Sequence, residues 1–220
     1  GRTVAIKFLP ESLASSADAR RRFLRGARAA AELDHPGIAA IYDAGEVEGK
    51  LYVAGALVDG MTLSAKAAAG SVPVREAVRI ACDAAEALQH AHSRGVVHRD
   101  ISGSNIMVAR DGRVAVLDFG MATATHSASA RLTRSGVAMG TVAYMAPEVA
   151  LGRPADARAD VYGLGAVTYE LLTGSPPFVA ERPEALLYKA VHEPVMPPSR
   201  RRRDLPAPLG RILLRALAKD

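Results

Sequence analysis

Three short stretches gather the residue types that do acid, base and metal chemistry: His98-Arg99-Asp100 followed by Asn105, then Asp118-Phe119-Gly120, and far upstream a lysine, Lys7, inside an apolar run. Between Asn105 and Asp118 the segment NIMVAR-DG-RVAVLD carries a central Asp-Gly pair, the signal for a two-residue type I′ turn joining antiparallel strands. With Asp111 and Gly112 as the turn, Arg110 faces Arg113, Val108 faces Ala115 and, at the open end, Asn105 faces Asp118. Facing residues lie about 4.5–5.5 Å apart at Cα. The hairpin thus predicts a carboxylate beside an amide oxygen, two hard ligands suited to Mg²⁺.

The elements that must position these groups follow from the patterning around them. Thr3 to Leu9 is rich in β-branched and apolar residues and reads as a strand ended by Pro10. Residues 18–33 place Phe23, Ala27, Ala30 and Leu33 at helical spacing, which predicts an amphipathic helix closed before His35-Pro36-Gly37. Ile38 to Tyr42 and Leu51 to Val58 read as two further strands joined by the polar EVEGK turn, with Asp59-Gly60 as a break. From Pro73 to Arg94 the positions Val74, Val78, Ala81, Ala85 and Leu88 follow a helical period, and Gly95 supplies a stop. Residues 121–140 are rich in Ser, Thr and Ala without periodicity, so they read as a long exposed loop, a kind that tends to carry function. Asp160 to Thr173 returns to helix, ending at Gly174, and the remainder is helical with Pro-rich connections.

Composition bounds the class of protein. The 220 residues are 49% hydrophobic and 23% charged, enough for a sizeable core and unlike a disordered or fibrous chain. One cysteine, Cys82, excludes an intramolecular disulfide scaffold and reads as a buried small hydrophobe in a reducing compartment. No run of 18 apolar residues and no signal-peptide pattern is present, so the segment reads as soluble and cytoplasmic, with any membrane anchor lying outside it. The net charge of +5 comes mostly from Arg200 to Arg203, which read as a solvated loop, so nucleic acid is not an expected partner. The start at Gly1 and the stop at Ala218-Lys219-Asp220, inside an expected helix, suggest a piece of something longer.

In order and spacing, Val4-Ala5-Ile6-Lys7, His98-Arg99-Asp100 with Asn105, Asp118-Phe119-Gly120 and Ala146-Pro147-Glu148 resemble the signature blocks of protein kinases. GTVAYMAPE and ADVYGLGAVTYELLTGSPPF resemble the bacterial eukaryotic-like Ser/Thr kinases in particular. The resemblance implies an α+β, two-lobed fold, with residues 1–58 as a small strand-rich lobe and 59–220 as a larger helical lobe. It implies ATP and Mg²⁺ as cofactors and protein Ser/Thr hydroxyls as substrate. Asp100 would accept the substrate proton, Asn105 and Asp118 would hold the metal, and Lys7 would pair with the α- and β-phosphates. Ala56 and Val58 would meet adenine, with Gly55 guarding an inner pocket either open or bordered by a weakened strand. Arg99 would pair with a phosphate on the long loop, for which Thr133 and Ser135 are the candidate sites. That phosphorylation admits a homodimer. Thr141 would orient Asp100 and the incoming hydroxyl, and Asp160 would brace the catalytic loop.

Three departures from the family pattern accompany this. The glycine-rich loop over the phosphates would lie before Gly1. The helix glutamate that should pair with Lys7 falls on Gly26, and Glu32 sits six residues on, turned about 240° around the axis. In HRDISGSN the lysine two positions after Asp100 is Ser102. Losing one preorganised charge contact costs roughly 10²–10³ in rate, so the alternatives are a kinase of weakened activity and a pseudokinase that binds nucleotide or a partner.

Overall fold

The computed structural model describes residues 1–9, 16–121 and 142–219. Its first layer is an antiparallel sheet of β1 (Val4–Phe8), β2 (Ile41–Val47) and β3 (Lys50–Ala56) in the order β1-β3-β2. The central strand carries the buried residues Leu51 and Val53, which pack with Phe23 and Ala27 of α1 (Ala17–Ala31) and with Leu9 into a small core. The helix starts where Ser16 accepts a hydrogen bond from the Ala19 amide, an N-cap reinforced by Asp18 in the first turn. Its buried face is Ala19, Phe23, Ala27 and Ala30, the spacing expected from the sequence.

The β2–β3 turn is tighter than the polar EVEGK stretch suggests. Val47 pairs with Lys50, leaving Glu48 and Gly49 at positive φ of 50° and 76°, the backbone handedness that suits hairpin twist. The strand therefore runs Ile41–Val47 instead of Ile38–Tyr42, and Ile38 forms only an isolated parallel bridge with Val116.

The larger, helical layer is built around α3 (Val74–Ser93) and α5 (Ala157–Thr173). Helix α5 is buried on nearly every side, through Tyr162, Ala166, Val167, Tyr169, Leu171 and Leu172, as befits a helix apolar all round. It ends at Gly174 in the left-handed conformation, with the Gly174 amide donating to Glu170 O. Against it α3 presents Ala77, Ile80, Ala84, Ala87, Leu88 and Ala91, a stripe turned by about 100° from the Val74, Val78, Ala81, Ala85 and Leu88 stripe read from periodicity. Alanines occur on several faces of this helix, so period alone left the phase open, and packing selected the face of small side chains. The same rotation leaves Cys82 exposed rather than buried.

Between these helices and the first sheet lies a second sheet of β4 (Gly60–Thr62), β5 (Ile106–Ala109) and β6 (Val114–Val116). Here the register differs from the expected one. Val108 pairs with Val114, not Ala115, because the loop has three residues, Arg110 to Gly112: Ala109 donates to Arg113 O at 2.8 Å and Gly112 takes φ of 87°. A type I turn followed by a left-handed glycine competes with the two-residue turn for the same Asp-Gly pair. Asn105 consequently meets Leu117, whose amide donates to Asn105 O at 2.8 Å, and not Asp118.

The short helices α2 (Leu63–Ala68), α4 (Pro147–Ala150), α6 (Pro183–His192) and α7 (Ala207–Ala216) belong to the same layer, with a 3₁₀ turn at Pro198–Arg200. The arginine run is not simply solvated. Arg202 donates to Val72 O and Leu172 O, and Arg201 donates to Pro176 O and lies over the Tyr169 ring, tying the run to the α5 end.

Candidate active site

The site is built around a loop that enters between α3 and β5. Its anchor is Asp160 in the first turn of α5, a fully buried carboxylate at 0% exposure. Oδ2 accepts from the His98 amide at 2.8 Å and from His92 Nε2 at 2.7 Å, while Oδ1 accepts from the Arg99 amide at 2.7 Å. An unpaired charge at that depth would cost several kcal/mol, so these donors are what allow it to be there. They hold the loop while Arg99 takes a positive φ of 65°, a strained conformation that persists only where surroundings over-determine it. Asp160 thus sits where a brace of the loop backbone must sit.

His98 is buried as well and connects the loop to the Asp118-Phe119-Gly120 triplet. Its Nδ1 accepts from the Asp100 amide at 3.2 Å, so Nε2 carries the proton and donates to Leu117 O at 2.7 Å. The ring meets Phe119 edge-on, with centroids 4.7 Å apart. Asn105 turns its amide nitrogen to Asp100, reaching its carbonyl at 2.8 Å and its Oδ2 at 3.4 Å. That leaves the Asn105 side-chain oxygen, Oδ1, for another ligand.

Asp118, also at positive φ (63°), receives the Lys7 ammonium: Nζ to Oδ2 is 2.6 Å across the gap between the two sheets. The first sheet thus delivers its lysine to the group that follows β6. Gly120 adopts φ of 78° against helix α1, where an added Cβ would fall 2.4 Å from Gly26 O, so the helix backbone itself abuts the triplet. Asn105 and Asp118 offer two oxygen donors, and no cluster of three metal-binding side chains occurs among the described residues. A donor set of that size fits Mg²⁺, which keeps most of its shell for water and substrate phosphates.

Ala56 closes β3 with its amide donating to Ala40 O at 2.8 Å, and Val58 is half-buried in the connector that follows. Gly55 lies one residue earlier on β3. A Cβ there would lie 2.9 Å from the Ala40 carbonyl oxygen, so the glycine answers a close backbone approach. A cavity of about 480 Å³ lies against the connector, lined by Pro36, Ala39, Ala56, Val58, Asp59 and Arg113 among others, but neither Lys7 nor Asp118 reaches it. Ser102 is buried and bonds Ser104 at 2.8 Å between hydroxyls. Thr133, Ser135 and Thr141 lie outside the described residues.

Two sets of polar groups went unread in the sequence. His92, which carried no expected role, is a ligand of Asp160, and its place six residues before His98 was the available signal. The other is Tyr144, in the GTVAYMAPE stretch, which donates to Glu170 of α5 at 2.6 Å. Burial pushes the Glu170 carboxyl above the ordinary glutamate range, partly offset by that hydroxyl, and burial likewise raises the Tyr144 phenol.

The sequence profile described as protein kinase domain matches residues 1–211. The chain belongs to the protein kinase domain family. It is 43% identical over its whole length to the serine/threonine-protein kinase PknB of Mycolicibacterium smegmatis and 42% identical to that of Mycobacterium tuberculosis. The kinase domain spans only 36% of the length of those curated relatives. Among solved structures it is similar to the kinase domain of Mycobacterium tuberculosis PknI, with a TM-score of 0.77 at 33% identity, covering 99% of this chain and 77% of that one. The two-lobed α+β architecture expected from the sequence is thereby established for this kinase domain, and no helix among its described residues is long and apolar enough to cross a membrane.

Proposed function

We propose that this kinase domain is the catalytic part of a cytoplasmic Ser/Thr protein kinase, transferring the γ-phosphate of ATP to hydroxyls of protein substrates. The observations that carry the reading are two pairs joined through His98: Asn105 bridges to Asp100, Lys7 closes on Asp118 across the lobes, and His98 accepts from the Asp100 amide while donating to Leu117 O beside Asp118. Relatives named serine/threonine-protein kinases, matching over the full chain, support the choice of acceptor.

In this reading the carboxylate of Asp100 takes the proton of the acceptor hydroxyl as its oxygen bonds the γ-phosphorus, and the bond to the β,γ-bridging oxygen breaks to release ADP. The Asn105 side-chain oxygen and the Asp118 carboxylate would hold Mg²⁺, which would supply neutralisation of phosphate charge. Lys7 positions the α- and β-phosphates, and the connector at Ala56 and Val58 takes adenine. Asp160, through the His98 and Arg99 amides, keeps Asp100 at a fixed height over the cleft. Arg99 pairs with a phosphate at Thr133 or Ser135 of the loop, placed there by a second copy of the chain, and Thr141 orients the acceptor.

The test is transfer of labelled γ-phosphate to a Ser/Thr protein substrate by the full-length protein, beside an Asp100→Asn control. Equal incorporation by the two proteins would refute the assignment.

A further inference from the structure

Helix α1 carries a charge pattern that the site does not use. Between positions 20 and 28 stand five arginines, Arg20, Arg21, Arg22, Arg25 and Arg28, and no acidic residue. At 100° per residue Arg21, Arg25 and Arg28 fall within about 60° of one another, on the side opposite the buried Phe23, Ala27 and Ala30. All three are exposed. Arg20 is taken by Glu46 of β2 at 2.8 Å and Arg21 by Asp18, whereas Arg25 and Arg28 make no ion pair among the described residues. Like charges three and four positions apart destabilise a helix. Only Arg28, in the last turn, has a reason within the helix to be a cation.

We propose that Arg21, Arg25 and Arg28 form a docking face for an acidic segment of a partner protein, one that presents Glu or Asp carboxylates. Guanidinium forks match carboxylates bidentately, and this face already stabilises one. Arg21, with Arg22 and Arg25 behind it, holds the Asp18 carboxyl below the usual carboxylate range. The stripe runs about 10 Å along the axis, the length of about three residues of extended chain. Asp18 and the exposed Glu32 bound it at either end, which restricts it to a short segment. A nucleic-acid strand would run on past these two carboxylates, which repel its phosphates. A lipid surface fits less well, because Phe23 and Leu24, the large apolar side chains of α1, pack into the small core instead of facing outward. The docking face stands apart from the kinase reading of the cleft.

The experiment is fluorescence anisotropy of labelled oligoglutamate titrated with the full-length protein at low salt, where screening is weak. Removing one exposed ion pair changes affinity about 1.5- to 5-fold, so Arg25→Gln with Arg28→Gln is expected to weaken binding by about 2- to 25-fold. Glutamine is a good helix former, and each single variant carries part of the loss should the double variant be unstable. Arg200→Gln with Arg203→Gln removes the same charge from exposed positions of the other lobe and is expected to leave the affinity within about 1.5-fold. No binding of oligoglutamate, equal binding of oligoglutamine, or equal weakening by the two double variants overturns the proposal. So does binding of phosphatidylserine vesicles or single-stranded DNA that depends on Arg25 and Arg28 as strongly as the peptide does.

Discussion

The two halves of the site are held by opposite means. In the helical lobe the loop bearing Asp100 hangs from a carboxylate at 0% exposure with three donors around it, backed by His98 and Phe119. In the strand-rich lobe Lys7 sits on β1, of which only Val4 is even partly buried, and it is held by one ion pair open to water. Buried hydrogen-bonded charges are costly to disturb, whereas exposed pairs contribute about 0–1 kcal/mol and exchange partners readily. The contrast separates a part of the site held in the core from a part held at the surface.

The sharpest way to break the rigid half is Asp160→Ala. It orphans the His98 and Arg99 amides and His92, and a loss of about 3–5 kcal/mol is expected in urea unfolding, with phosphate transfer falling in parallel. Asp100→Asn probes the same loop without touching its anchor. Transfer should drop by about 10²–10⁴-fold while the unfolding midpoint stays within error of the parent.

Farther from the cleft, Arg202→Ala removes donors to Val72 O and Leu172 O and should cost about 1–3 kcal/mol. Arg200→Ala, at an exposed residue of the same run, should stay within about 0.5 kcal/mol in the same unfolding assay.

Glu170 supplies a pH dependence. Its folded-state carboxyl titrates above the ordinary glutamate range because it is buried, so the folded protein holds a proton that the unfolded chain has released. Stability from this group is present below the ordinary glutamate range and is lost as pH rises through the raised folded value. Glu170→Gln should flatten that part of the stability profile, and an unchanged slope would remove Glu170 as its source. The smallest effect on folding belongs to the exposed ion pair: Lys7→Met should shift stability by less than about 1 kcal/mol, even as it cuts phosphate transfer.

Legibility in the sequence followed the same division. The strand with Lys7, helix α1 and its buried Phe23, and helix α5 with its Gly174 stop were readable because each is a local pattern: β-branched run, helical period, left-handed cap. The hairpin between Asn105 and Asp118 was readable as a hairpin but not in register. One Asp-Gly pair serves a two-residue turn or a three-residue loop with a left-handed glycine, and that single residue decides whether Asn105 faces Asp118 or Leu117. The buried side of α3 was ambiguous for a related reason, since alanines satisfy several helical phases.

The sequence by itself determined which chemical groups exist and in what order: a strand lysine, a loop aspartate with its asparagine, a second aspartate before Phe-Gly, and a glycine, Gly26, in the middle of a helix. Only the tertiary structure decided who holds whom. His92 reaches Asp160 across 68 positions of chain and Lys7 reaches Asp118 across 111. No local propensity encodes such contacts. They arise when helix packing and sheet assembly bring distant backbones together, and a buried carboxylate then takes whatever donors that packing supplies.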